Sequence, residues 1–253
     1  MISFSQTVSN IQARQEGETI VVTYVLSGDP AYIQLEYDNG NGVFEQVIEA
    51  EGDIGNNISS GNKQITWKPS VLYSNSVVFR VSAIETRFTD PRDGKKYQTV
   101  KIGSQIWMAE NLNYTTIFGS WLNSRYGRLY DWETAKTACP VGWHLPTDEE
   151  WKTLETQLGG SSIAGGKMKS TGTHYWHSPN TAADNSSGFS GLPGGNRYFD
   201  GVFSNIGDYG HWWSSTEFST NNAWYRSMNY HNGAVNRLNV SKTYGFSVRC
   251  LRD

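Results

Sequence analysis

The sequence predicts two folding units of different class: an all-β sandwich over residues 1–86 and a mixed α+β domain over residues 87–253. Three observations carry this. A chain of 253 residues has room for two domains. Its first third holds only short runs of period-2 alternation, and helical spacing starts after them. The aromatic content is also uneven, because nine of the ten Trp lie beyond residue 100. The change of composition falls near Arg87-Phe88-Thr89-Asp90-Pro91.

The first unit reads as strand after strand. Ile20, Val22 and Tyr24 alternate with Val21, Thr23 and Val25. Residues 32–37 form a second strand, closed by the turn Asp38-Asn39-Gly40-Asn41-Gly42, and residues 43–48 return beside it. Residues 64–67 and 76–83 supply two more. Short alternating strands between turn residues point to a β-sandwich of the immunoglobulin or fibronectin III kind. No Cys lies here, so an antibody-type inter-sheet disulfide is excluded. A spacer or attachment role fits this unit, in which no residues cluster as a site.

The second unit opens with a hairpin, residues 96–102, turning at Gly103-Ser104 into residues 105–108. Leu129, Trp132, Ala135 and Ala138 then fall on one helical face that ends at Cys139-Pro140. A second helix starts at Thr147, with Glu150 three residues on to complete a capping box. Its buried stripe is Trp151, Leu154 and Leu158, and Gly159-Gly160 stops it. From there to Ser190 the chain reads as long ordered loops pinned by anchors such as Trp176 and Phe189. The last stretch reads as strands over 223–230 and 234–240 around an Asn232-Gly233 turn. In the closing strand Phe246, Val248 and Cys250 alternate with Ser247 and Arg249.

Charge and hydropathy exclude some partners. A net charge of −3 with 18% charged residues gives no basic footprint for nucleic acid. No apolar run reaches the length of a membrane span. The first residues, MISFSQTVSN, lack the basic and apolar regions of a signal peptide, and the sequence leaves open whether a leader was removed. His174 and His177 stand without Cys or carboxylate neighbours, so a zinc site is not expected. Asp184-Asn185-Ser186-Ser187-Gly188 reads as a turn before it reads as a cation loop. No Ser/His/Asp set, phosphate-cradling loop or catalytic carboxylate pair stands out. No metal and no cofactor is therefore expected, and the chain reads as a non-enzyme.

Several motifs in order carry a family resemblance: YQTVKIGSQIWMAENLNY, YGRLYDWETAKTACPVGWHLPTDEEW, GFSGLPGGNR, WWSST and GFSVRC. Together they resemble the Fibrobacter succinogenes major paralogous domain, over roughly residues 90–253. The resemblance implies a C-type lectin-like fold, distantly shared with formylglycine-generating enzyme, with two short helices against a mostly antiparallel sheet. Folds of this kind often tie the first helix to the last strand, which implies a disulfide between Cys139 and Cys250; two neighbouring buried thiols are the alternative. Calcium-dependent sugar binding in such folds uses Glu-Pro-Asn or Gln-Pro-Asp, and neither occurs here. The first unit resembles, more loosely, the Ig-like modules that precede such domains in Bacteroidetes proteins.

The same fold hosts the variable proteins of diversity-generating retroelements, ligand binders of phages and bacteria whose C-terminal hairpin varies at Asn codons. Asn222, Asn229, Asn232, Asn236 and Asn239 stand in the matching segment. Ser227, Tyr230, His231, Gly233, Ala234, Arg237, Leu238, Ser241 and Tyr244, interleaved with them, are all reachable from an Asn codon. The expectation is a ligand-binding surface of Ser227, Tyr230, His231, Ala234, Arg237, Leu238, Ser241 and Tyr244. Most of these side chains should lie together on one solvent-facing side. Trp212, Trp213, Trp224, Phe246 and Val248 should be buried beneath them as a frame. The partner would be a protein or glycan receptor on a cell surface, and the setting extracellular, on a cell or a virion, with oligomeric state open. A surface or fimbrial adhesin subunit is the alternative, and an oxidase related to formylglycine-generating enzyme is a third reading.

Overall fold

From Val22 to Leu26 every second residue is buried, and so is every second residue of the strand bearing Ala31, Ile33, Leu35 and Tyr37. Those two stripes face one core, which Ile65, Trp67 and Val81 complete. In the computed structural model, which describes residues 6–70, 77–123 and 125–253, the chain divides into two compact units, Met1–Thr86 and Arg87–Asp253.

The first unit is all β among its described residues. Its strands are β1 (Thr7–Glu16), β2 (Thr19–Ser27), β3 (Ala31–Asp38), β4 (Glu45–Gln46), β5 (Ala50–Gly52), β6 (Gly55–Ile58), β7 (Gly61–Trp67) and β8 (Val78–Glu85). One antiparallel sheet runs β1-β2-β7-β5. The other is centred on β3, which pairs β8 along its whole length and takes β4 and β6 as shorter partners. Ser76, read above as the start of a strand, lies outside the described residues. The unanticipated strand is β1: ten mostly polar, mostly exposed residues with no alternation to announce them.

The second unit holds two larger sheets and three short helices among the described residues. Its opening strands β9 (Arg87–Thr89), β10 (Lys96–Ile102) and β11 (Gln105–Met108) are followed by β12 (Ser120–Asn123) and β13 (Gly127–Tyr130). Then come α1 (Trp132–Ala138), β14 (Trp143–His144), α2 (Asp148–Gln157) and α3 (Ser161–Met168). The remaining strands are β15 (Asn196–Arg197), β16 (Phe203–Ser204), β17 (Tyr209–Glu217), β18 (Asn222–Asn229), β19 (Asn236–Ser241), β20 (Phe246–Ser247) and β21 (Leu251–Arg252). Near the chain's end β21 pairs β11, so the first and last parts of the unit meet in the sheet β14-β21-β11-β10-β9. The second sheet has the order β12-β13-β20-β17-β18-β19. Cys139, just past α1, is disulfide-bonded to Cys250, with a Cα separation of 5.9 Å.

Local chemistry explains where these elements begin. The Thr147 hydroxyl accepts from the Glu150 amide while Glu150 reaches back to the Thr147 amide, a complete capping box. Asp131 caps α1 by accepting from the Thr134 amide at 2.8 Å. Leu129 therefore belongs to β13 and not to the helix whose spacing it fits. Within residues 161–190, read above as loops, lies α3. Gly165 and Gly166 hide it from helix propensity; both are buried, and a Cβ on Gly165 would overlap the Ala234 carbonyl. The glycines let the helix touch the C-terminal hairpin.

Two further corrections concern that hairpin and the last strand. Asn232-Gly233 is not a two-residue turn, because β18 ends at Asn229 and β19 starts only at Asn236. The wider loop is held from inside by Lys169, a fully buried ammonium donating to the carbonyls of Thr181, Asn229 and Asn232 at 2.9, 3.0 and 2.9 Å. Three peptide dipoles replace its water, although burial still pulls its pKa down to about 8. In the closing segment the strand breaks between Ser247 and Leu251, and Arg249 points inward. Its guanidinium donates to Asn111 Oδ1 at 2.8 Å, to the Met108 carbonyl at 3.2 Å and to the Phe189 carbonyl. Alternation alone would have put this charge outside.

Candidate functional site

Strand alternation sorts the six-stranded sheet into two faces. Trp212 on β17 stands opposite Arg226 on β18, which stands opposite Arg237 on β19. One residue away, Trp213 stands opposite Tyr225, which stands opposite Leu238, and His211 opposite Ser227. The two rows point to opposite sides.

The Trp212 face is structural. Trp212 and Met228 pack with Trp151, Leu154 and Met168 of the helices and with Trp107 and Phe189. Arg226, fully buried, donates to Asp148 Oδ1 at 2.6 Å and to Glu155. Arg237 closes the same network, with its Nε 2.9 Å from both carboxylate oxygens of Asp148, and its guanidinium lies 3.4 Å from the Trp224 ring centroid. Burial alone would raise the Asp148 pKa, but the hydrogen bonds from Arg237 and Arg226 outweigh it and hold it below the ordinary carboxylate value. Arg237 is thus bound to the start of α2 while 45% of its side chain stays exposed, as expected of it, although on the face away from Leu238.

The opposite face is covered only in part. At one end Trp213, Ala223 and Phe246 pack with Trp132 and Ala135 of α1 and with Tyr130 and Val248. The other end opens into a cavity of about 350 Å³ whose floor includes Tyr209, His211, Tyr225, Ser227 and Phe246. Leu238, Val240 and Tyr244 line it on the hairpin side, and Asn196, Tyr198 and Asn205 on the other. The chain reaches that second wall through reciprocal backbone bonds between Arg197 and Gly245, at 2.9 and 2.8 Å, and through the Gly195 amide donating to the Tyr209 carbonyl.

His211 is the unusual residue of this floor. Its ring stacks on Tyr209 at 5.5 Å and meets Phe246 at 4.8 Å and Tyr225 at 5.4 Å. Only 8% of its surface is exposed, and its Nδ1 is buried with no hydrogen-bond partner among the described residues. Burial pushes its pKa down to about 3, so at neutral pH the imidazole is uncharged. Asn196 is alike: its Oδ1 accepts from Asn205 Nδ2 at 2.7 Å, while its own Nδ2 is buried without a partner. Leaving such a group unsatisfied costs about 1–3 kcal/mol. Two of them border one cavity.

The structure disperses the eight expected ligand-binding residues. Ser227, Leu238 and Tyr244 line the cavity, but Ser227 is buried at 2% exposure, because it stands in the middle strand of the hairpin between His211 and Asn236. Leu238 is exposed at 45%. Tyr230, His231 and Ala234 sit in the loop between β18 and β19; the first two rings lie 3.7 Å apart, and the Ala234 carbonyl meets α3. Arg237 lies on the opposite face, and the Ser241 hydroxyl pairs with that of Thr243 at 2.9 Å. They do not share one face. Of the expected frame, Trp212, Trp213, Phe246 and Val248 are fully buried, and Trp224 is partly buried between Arg237 and the Phe218 ring. Tyr209, His211, Tyr225, Asn196 and Tyr198 were missed; alternation backward from Trp213 would have found the first two.

Other chemistry is sparse. Among the described residues no group of three or more His, Cys, Asp or Glu side chains could hold a metal ion, and no helix is long and apolar enough to cross a membrane. His177 Nδ1 lies 3.0 Å from Asp208, and the Asp184 carboxylate accepts from the Ser186 amide as a turn does.

Comparison with known proteins gives one result. No curated protein and no solved structure matches the chain. The family model described as the Fibrobacter succinogenes major domain matches residues 100–252, which include the six-stranded sheet, the five-stranded sheet except β9 and the start of β10, the three helices and the cavity, and the chain belongs to that family.

Proposed function

We propose that this chain is a ligand-binding protein and not an enzyme, and that it recognises a cell-surface receptor through the cavity face of the six-stranded sheet. The carrying observation is the open end of that face, where C-terminal hairpin residues border a cavity containing two buried polar groups without partners. In this reading residues 87–253 form a C-type lectin-like scaffold, and residues 1–86 an Ig-like module that carries it. The hairpin is the diversified segment of a diversity-generating retroelement variable protein. Leu238 and Tyr244, two of the residues reachable from an Asn codon, border the cavity while the buried Trp212 and Trp213 hold its frame. Both cysteines are bonded, which leaves no thiol for oxidase chemistry.

The test is adsorption of fluorescently labelled protein to intact cells of candidate hosts. Tyr225→Ala combined with Leu238→Ala is expected to reduce adsorption by a hot-spot amount, about 2 kcal/mol or roughly thirtyfold in affinity. Lys152→Ala, on the exposed side of α2, should leave adsorption unchanged. Equal adsorption by the double variant and the parent would move recognition off this face.

A further inference from the structure

We propose that the cavity between the C-terminal hairpin and the Asn196–Asn205 wall takes one uncharged, hydroxyl-rich ring, a single neutral hexose-sized sugar residue, bound without a metal ion. The proposal rests on the reading of this face as a recognition surface and names the chemistry that it reads. Three features of the lining carry it. First, every residue bordering the cavity is uncharged at neutral pH, and none is Asp or Glu. A charged ligand would lose its hydration with nothing to replace it, and a bridging Ca²⁺ would lack the carboxylate oxygens it takes.

Second, apart from the Asn205–Asn196 bond, most polar groups that line the cavity are unspent. The hydroxyls of Tyr198, Tyr209, Tyr225 and Tyr244 make no hydrogen bond to the described residues, and the His211 imidazole and the Asn196 amide each keep a buried atom without a partner. A purely apolar ligand would leave all of them unsatisfied, whereas hydroxyls can donate and accept at each. Third, the Tyr209, Tyr225 and Phe246 rings gather around His211, which gives the floor an aromatic surface for the C–H face of a ring. A cavity of about 350 Å³ lies at the small end of ligand sites, suited to one ring and not to a long chain.

The experiment titrates the ¹⁵N-histidine-labelled full chain with methyl glycosides of glucose, galactose, mannose and N-acetylglucosamine, and reads the His211 ring resonances. Glucuronate, glucosamine and a set of N-acetyl amino-acid amides serve as the charged and peptide-like probes. At least one neutral glycoside should shift His211 saturably, equally with and without EDTA, while the charged sugars and the amides do not. Tyr225→Phe, which removes one hydroxyl and keeps the ring, should weaken that glycoside at least threefold. Asn196→Ala should weaken it too, and Lys152→Ala should not. No shift with any neutral glycoside, loss of the shift in EDTA, or a stronger response to an amide or a charged sugar overturns the assignment. Should the hairpin double variant lose cell adsorption while no glycoside shifts His211, the recognition surface stands and the sugar site falls. A glycoside shift with adsorption untouched by that variant has the opposite meaning.

Discussion

His211 is held neutral by its surroundings. Among the described residues no ion pair or charged hydrogen-bond partner reaches its ring, which is enclosed by Tyr209, Tyr225 and Phe246, and burial alone sets its titration. Its folded pKa of about 3 lies below the ordinary value of 6.5, so between these the unfolded chain binds a proton that the folded chain refuses. The stability contributed by burying the neutral ring is therefore present above pH 6.5 and is lost as pH falls toward 3. His144 has the opposite sign: burial lowers its pKa, but hydrogen bonds to Asp253 and Glu150 outweigh that and raise it. Its contribution is complete below the ordinary histidine value and is lost as pH rises through the higher folded one. The two are separated by His211→Phe, which keeps a ring in the aromatic cluster and deletes the titration. Measured by urea unfolding at pH 7.5 and pH 5, the variant should gain on the parent by about 2 kcal/mol at the lower pH, the product of 1.5 pH units and about 1.4 kcal/mol per unit. A constant difference between the two would mean that the His211 ring protonates in the folded state.

At the scale of elements, α3 shows how tertiary contact overrides local preference. Replacing a glycine inside a helix by alanine ordinarily stabilises it by about 1 kcal/mol. At Gly165 the sign should reverse, because the added Cβ meets the Ala234 carbonyl of the hairpin loop. Gly165→Ala is expected to cost about 1–3 kcal/mol, the usual range for overpacking, while Ser162→Ala on the exposed side stays within about 0.5 kcal/mol. Thermal melts of both variants check this, and a stabilised Gly165→Ala would show that the helix does not press on the hairpin. The same contrast explains what the sequence made legible. The start of α2 was readable because Thr147 and Glu150 complete their bonds within four residues. The β2 and β3 strands were readable because their alternation faces one core. By contrast α3 depends on what its glycines touch, β1 on a partner strand and not on its own pattern, and the inward Arg249 on carbonyls at residues 108 and 189. The cavity was hidden for the same reason: its walls come from residues 196–205 and 238–246, and no local pattern joins them. Asn codons mark what can vary, but only the strand register separates Leu238, beside the cavity, from Arg237, bound to Asp148.

At the scale of the whole molecule, the second unit is closed on itself twice near its end. Leu251 of β21 pairs with Trp107 of β11, and Cys250 beside it is bonded to Cys139, 111 residues earlier. The segment closed by that bond contains α2, α3 and both walls of the cavity. In the chain-entropy account, a crosslink over a loop of this length restricts the unfolded state by about 4–5 kcal/mol. The first unit has neither cysteine, and its core of Val22, Leu35, Ile65 and Trp67 owes nothing to the crosslink. Reduction, or a Cys139→Ser and Cys250→Ser double variant, should therefore act on the second unit alone. In calorimetry with and without reductant, the transition followed by Trp fluorescence should move to lower temperature, because nine of the ten tryptophans lie beyond residue 100. A transition assigned to residues 1–86 by hydrogen exchange should stay in place. The His211 resonances offer a finer reading. Because the crosslink acts mainly on the unfolded chain, the double variant below its melting temperature should keep the parent's His211 shifts and the parent's response to a bound glycoside. Changed shifts in a variant that still melts cooperatively would show instead that the bond holds the cavity's shape in the folded state.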